Sequence, residues 1–212
     1  MFGILGEDIS DVAVIDVLIK KIANDQSLRT KPKGYSGCGE LLSKGARGIK
    51  ALNDVGFSKF IICYDADKGD PVRKYDEIVQ KIIKPSGVTS SFCAIVPIQE
   101  IESWLLSDLS AVKKIFSSFN FDREYSHPEN QDDPKEHLEK ILRKFNNKPC
   151  YISTAHNPKI AAHIDLINLA EKCPSSIPLF DFIQTGRGNY PNQIDDYKEA
   201  KKRVLRALRG ES

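Results

Sequence analysis

Carboxylates stand at the ends of apolar runs along the first half of this chain. Glu7 and Asp8 follow residues 2–5, Asp65 and Asp67 follow residues 60–64, Glu100 and Glu102 follow residues 92–96, and Asp11 lies one helical turn beyond the first group. A carboxylate beside a buried strand is costly unless something neutralises it, and a hard divalent cation is the usual partner. Several of them aimed at one place point to Mg²⁺ or Mn²⁺ held against a phosphate. Asp65 and Asp67 are two apart, so in extended backbone they face the same way. Glu7 and Asp11 are four apart, so they share a face if a helix begins near Asp8. The expected metal ligands are therefore Glu7, Asp11, Asp65, Asp67, Glu100 and Glu102. Each has a plainer reading alone. Glu7 suits the positive end of a helix dipole, and Glu100 and Glu102 suit a solvated first turn. Their recurrence in chain order favours one shared site.

The elements that carry them alternate. Residues 2–5 form a short strand, and Ser10 can cap a helix whose apolar positions Val14, Leu18 and Ile22 recur at helical spacing. Residues 28–35 read as a weak basic strand, and residues 41–55 as a helix ended by Gly56. Residues 60–64 are the clearest strand, nearly continuous in apolar character, as in a parallel strand covered on both faces. Pro71 opens a helix to about Lys84, residues 92–96 form a fourth strand, and a helix begins in residues 100–106. This order implies an α/β fold with a mainly parallel four-stranded sheet and right-handed crossovers. Such sheets bind ligands outside the carboxyl ends of their strands, where all the acidic groups fall. Beyond residue 108 the pattern turns helical: 111–119, 135–145, His156 or Pro158 to 171, and 195–208, with 120–134 a polar surface loop. The expected division is an α/β core at 1–108 and a helical extension at 109–212 packed on it.

Composition excludes several classes. The chain of 212 residues is 41% hydrophobic and 28% charged, ordinary for a soluble globular protein. No apolar run is long enough to span a bilayer, and Met1 leads into the first strand without a basic n-region, so neither a membrane span nor a signal peptide is expected. The five cysteines are scattered without a C-x-x-C pair, which suits a reduced cytoplasmic protein. The four histidines form no zinc motif. A net charge of +2 requires any nucleic-acid surface to be local. Candidates are the C-terminal helix (Lys198, Lys201, Lys202, Arg203, Arg206, Arg209) and the second strand with its following helix (Arg29, Lys31, Lys33, Lys44, Arg47).

Glu7 after the first strand and Asp65-Ala-Asp67 after a later one resemble the Toprim domain of topoisomerases, primases and several nucleases. Glu100-Ile-Glu102-Ser-Trp-Leu-Leu resembles more narrowly the Toprim domains of overcoming-lysogenization-defect (OLD) nucleases and small standalone bacterial Toprim-like proteins. The resemblance covers residues 2–108 and, more loosely, 157–182. It implies a Toprim-like Rossmannoid fold, metal binding by Glu7, Asp11, Asp65, Asp67, Glu100 and Glu102, and catalysis by Glu7, Asp65 and Asp67 with a lysine at the scissile phosphate. The lysine expected is Lys159, after Pro158 in what reads as a first helical turn, where phosphate is welcome. The usual Glu-Gly is Glu7-Asp8 here, and no G-x-x-x-x-G-K-[ST] motif is present.

The expected function is a Mg²⁺- or Mn²⁺-dependent nuclease on DNA or RNA, with an anti-phage defence role and a partner such as a defence-system ATPase implied by the resemblance. Two alternatives remain open. A haloacid-dehalogenase-type phosphatase also carries Asp-x-Asp after a strand, although here Lys68-Gly69 follows it. A non-catalytic Toprim-like module would instead bind nucleic acid or a partner protein.

Overall fold

A computed structural model describes residues 1–120, 123–144, 151–189 and 197–211. Four strands form one sheet: β1 (Phe2–Gly6), β2 (Thr30–Gly34), β3 (Lys59–Cys63) and β4 (Ser91–Ile95), in the order β2-β1-β3-β4. All three pairings are parallel, with Phe2 beside Thr30 and Lys59, and Lys59 beside Ser91. The fold is thus α/β with a four-stranded parallel sheet, as the alternating pattern predicts.

Side chains alternate across the sheet. Ile4, Ile61, Cys93 and Ile95 face one buried cluster, and Leu5, Phe60, Ile62, Phe92 and Ala94 face another. Against the second face pack α2 (Cys38–Asp54) and α3 (Pro71–Ile78), the latter running through a π turn at Val79–Ile83 into α4 (Lys84–Ser86). Against the first pack α1 (Ile9–Ile22) and helices from the rest of the chain: α5 (Glu102–Leu105), α6 (Leu109–Ile115), α7 (Pro134–Arg143), α8 (Ser153–His163), α9 (Leu166–Lys172), α10 (Ile177–Thr185) and α11 (Tyr197–Arg209). Each buried aliphatic side chain contributes about 1.5–3 kcal/mol relative to exposure.

Several local expectations are corrected. The helix placed in 111–119 begins earlier, at Leu109, because Asp108 caps it by accepting from Ser110 N at 3.0 Å. The helix expected from His156 or Pro158 to 171 is two helices. The backbone leaves helical geometry at Ile164, and Asp165 recaps the chain by accepting from Asn168 N at 2.9 Å. The first of these starts at Ser153, so Pro158 lies inside it, not in its first turn. The missing proline N–H forgoes one helical hydrogen bond. Burial of Asn157, Ile160 and Ala161 on the same helix offsets it.

The segment 120–134 is more than a surface loop. Tyr125 is buried, Pro128–Asn130 forms a 3₁₀ turn, and the buried Glu129 accepts from Trp104 Nε1 at 3.3 Å and from Ser175 Oγ. Residue 145 at the expected end of α7, residues 195–196 at the expected start of α11, residues 121–122 and Cys150 lie outside the described residues.

One glycine fixes how α1 meets the sheet. At Gly34 an added Cβ would lie 2.5 Å from Ile9 N and 2.7 Å from the Asp8 carbonyl oxygen. Both are backbone atoms with no rotamer to yield. Gly34→Ala should therefore lower stability by about 1–3 kcal/mol, read as a lower urea midpoint at unchanged m-value; an unchanged midpoint would show that α1 can shift freely.

Candidate functional site

The carboxyl ends of β1 and β3 are tied together by an acidic side chain. Glu7 Oε1 accepts from Asp65 N at 3.0 Å. This bond follows from the sheet: beyond β3 the ladder continues with Tyr64 N to Ile95 O (3.1 Å) and Ala66 N to Pro97 O (2.9 Å), so Asp65 N, between them, points the other way towards β1.

Asp8, not Ser10, caps α1. It has extended backbone (φ −137°, ψ 177°), so no glycine is needed there. Asp8 Oδ1 accepts from Ser10 N at 2.5 Å and Asp11 N at 3.1 Å, and Asp11 Oδ2 accepts in return from Asp8 N at 3.2 Å. This reciprocal capping box fixes the Asp11 carboxylate, which is 6% exposed. Ser10 instead accepts from Asn157 Nδ2 at 2.8 Å.

Glu102 opens α5 and is buried. Its Oε1 accepts from Asn157 Nδ2 at 3.0 Å, and Asn157 Oδ1 accepts from Tyr151 OH at 2.5 Å. Asn157 is completely buried and so joins α8 to α1 and α5 at the site.

Asp67 and Glu100 sit differently from expectation. The chain leaves extended geometry after Ala66, with Asp67 at φ 48° and Lys68 at φ 64°, two non-glycine residues in the left-handed region. The same-side rule for residues two apart therefore fails, and Asp67 lies exposed on the rim while Asp65 is half-buried. Glu100 Oε2 accepts from Lys135 N at 3.1 Å and so holds the first turn of α7. Lys68 pairs with Asp133 at 2.8 Å across the same opening. A cleft of about 220 Å³ lies there, lined by Asp67, Lys68, Gln99, Glu100, Asp133 and Pro134.

Lys159 is exposed on α8. It stands two residues from Asn157, about 200° around the helix. Asn157, not Lys159, is the α8 residue turned to the carboxylates, as its bonds to Ser10 and Glu102 show. Lys74 on α3 is the cation that acts on Glu7, while Lys135 acts on Glu100 and Glu102. Lys74 Nζ lies 4.0 Å from the centre of the Tyr64 ring. Partial burial lowers its pKa, but Tyr64, Glu7 and Asp67 outweigh that and hold it above the ordinary lysine value. No spacing rule singles out Lys74 or Asn157 in the sequence.

Electrostatics show that the acidic groups share one neighbourhood. Burial, with Asp67 adding to it, raises Glu7 from 4.5 to about 7 against the opposing Asp65 hydrogen bond. Burial, then Asp8 and Glu102, raise Asp11 from 3.8 to about 8. Burial raises Glu102 from 4.5 to about 7 although the Asn157 hydrogen bond opposes it. Asp65 is pushed well above the usual carboxylate range by burial, then by Asp11, Glu7 and Glu102. Glu7, Asp11, Asp65 and Glu102 therefore converge, with Asp67 and Glu100 at the edge.

Among the described residues, no group of three or more His, Cys, Asp and Glu side chains stands in metal-ligand geometry. The chemistry of the cluster nonetheless suits a hard cation. All the donors are carboxylates. Asp65 Oδ1 is shut from solvent and has no hydrogen-bond partner. Buried polar atoms ordinarily have one. A cation among Glu7, Asp11, Asp65 and Glu102 would satisfy that oxygen and relieve the mutual repulsion.

A family model described as a domain of unknown function (DUF4276) matches residues 7–184, a span that begins at Glu7 and includes every site residue named above. No curated protein and no solved structure matches the chain.

The raised carboxylates make stability depend on pH. In the folded state Glu7 and Glu102 titrate near 7 and Asp11 near 8, against ordinary values of 4.5 and 3.8. At these three groups the folded chain thus binds more protons than the unfolded chain between about pH 4 and 8, and their contribution to stability falls as pH rises through that window. With EDTA the melting temperature should drop by several degrees from pH 5 to 8.5, and Mg²⁺ or Mn²⁺ at pH 8 should restore it. A flat or rising profile in EDTA would contradict the clustering.

Proposed function

This chain belongs to the DUF4276 family, and we propose that it is a divalent-metal-dependent phosphodiesterase acting on DNA or RNA. The observation that carries the reading is Asp65. It is a carboxylate at the carboxyl end of a parallel strand, with one oxygen buried and unpartnered and with Glu7, Asp11 and Glu102 around it. The order of its acidic stations, which resembles Toprim and OLD-type nucleases, supports the same reading. A Mg²⁺ or Mn²⁺ ion bound there would supply the concentrated positive charge that phosphodiester hydrolysis requires.

The chain's own residues have separable tasks in this proposal. Glu7, Asp11, Asp65 and Glu102 would hold the cation. Asp67, on the rim at the left-handed turn, faces incoming substrate. Asn157, with Ser10 and Tyr151, fixes the Glu102 carboxylate. Lys74 takes the role expected of Lys159: seated on the Tyr64 ring beside Glu7 and Asp67, it is placed to contact a phosphate oxygen. A place in anti-phage defence, alongside a partner ATPase, is the biology implied by the resemblance.

The test is cleavage of labelled DNA and RNA, single- and double-stranded, with Mg²⁺, Mn²⁺ or EDTA. Asp65→Asn should abolish metal-dependent cleavage without loss of the folded state. Lys74→Ala should slow it on the order of 10²-fold, the usual scale for one preorganised charge-stabilising group. Lys159→Ala should leave the rate unchanged. Undiminished cleavage by Asp65→Asn would remove the proposed site. Metal-dependent stabilisation without cleavage of any of these substrates would favour a binding module.

A further inference from the structure

We propose that the β2 edge of the sheet is the surface along which a nucleic-acid backbone reaches the carboxylates. This placement takes its substrate class from the phosphodiesterase reading and its location from the charge and geometry of the edge.

β2 is an edge strand, and its three central residues, Lys31, Pro32 and Lys33, are exposed. Residues 26–39 contain three cations and no Asp or Glu. Lys31 and Lys33 are two apart and so project to the same side of the sheet, the side covered by α2. There Lys33 Nζ lies 5.1 Å from the centre of the Tyr35 ring and against Gly48 of α2. Arg47, exposed and adjacent to Gly48, acts on the same tyrosine. Arg29, at the foot of the strand, lies 5.8 Å from the Phe57 ring centre. Two aromatic rings thus hold two cations in place.

Among the described residues, none of Arg29, Lys31, Lys33 and Arg47 has a carboxylate within salt-bridge distance. The nearby Glu40 is taken by Lys44 and by Ser36 N. The C-terminal helix differs. In α11, Lys201 donates to Glu171 O at 2.8 Å, Lys202 pairs with Glu199 at 2.6 Å, Arg203 with Asp181 at 2.6 Å and Arg209 with Glu171 at 2.6 Å. Three of its six cations are thus paired with carboxylates of the protein and a fourth is tied to a backbone carbonyl.

The edge also selects its occupant. Tyr35 N donates to Gly6 O at 3.1 Å, so alternate residues of β2 direct their N–H groups to β1, and position 32 directs its nitrogen outward. Proline has no hydrogen there. An incoming β-strand meets a missing donor between two lysines, a combination that blocks strand addition. A polyanion meets no such obstacle. Two residues of strand advance about 6.6 Å, close to the rise of two nucleotides at about 3.4 Å each along one strand.

The track leads to the site. Register places Gly34 beside Gly6, the residue before Glu7, and Gly37 N donates to Glu7 O at 2.9 Å.

Binding of labelled oligonucleotides, single- and double-stranded, is measured by fluorescence anisotropy in EDTA over a salt series, so that no cleavage intervenes. Lys31→Gln with Lys33→Gln should weaken binding on the order of tenfold and make the slope of log K against log salt shallower by about 1.8 on duplex. Lys31→Gln with Arg47→Gln, which leaves the Lys33–Tyr35 contact intact, should do the same. Lys198→Gln with Arg206→Gln on α11 should have no effect. Undiminished binding by both edge variants, or loss confined to the α11 variant, overturns the placement. Absence of nucleic-acid binding by the unaltered protein overturns it too. Hydrolysis of bis(p-nitrophenyl) phosphate with Mn²⁺, lost in Asp65→Asn, tests the phosphodiesterase reading separately.

Discussion

A single backbone donor sets the arrangement at the heart of this molecule: the Asp65 amide, held by the Glu7 carboxylate. That bond ties β1 to the end of β3 beyond the sheet proper and does so with a charged side chain. It also brings Glu7 up to Asp65 in a place where neither is well solvated. The neighbouring Asp11 and Glu102 are buried for separate reasons, one by a capping box and one by an amide from α8. Like charges are thereby confined by interactions that do not neutralise them, and each raises the protonation of the others.

The scaffold around this cluster works by borrowing groups from distant parts of the chain. Asn157 reaches from α8 to Ser10 and Glu102 and leaves nothing of its amide exposed. Glu100 is drawn the other way, to the first turn of α7. The helices after residue 108 share one buried cluster with the sheet face that α1 covers, so their packing and the position of the carboxylates are coupled.

What was readable in the residues follows from how local each feature is. Strand-ending carboxylates are local: apolar runs define the strands, and a parallel sheet sends their ends to one side, so Glu7, Asp11, Asp65, Asp67, Glu100 and Glu102 are grouped by the sequence, although Asp67 and Glu100 stand at the edge of the cluster. The turn at Asp67 and Lys68 was not readable, because neither residue is a glycine that would announce a left-handed backbone. The place of Lys159 was not readable either: proline favours a first turn, but α8 starts five residues earlier, at Ser153, and Lys159 lies on its exposed side. Lys74 and Asn157 escaped because their partners lie far away in sequence and no periodicity connects them. Glu129 escaped likewise, since its segment is polar and only its contacts with Trp104 and Ser175 explain its burial.

Trp104 is the chain's sole tryptophan, fully buried, and it stands two residues after Glu102 on the same short helix. Its indole N–H is held by Glu129 and Ser175. The protein therefore carries a built-in optical gauge: emission from one ring, excited without any label, reports the state of the helix that carries Glu102 into the carboxylate cluster. Changes in its colour or intensity read local rearrangement at α5 in a chain with no other indole to blur the signal.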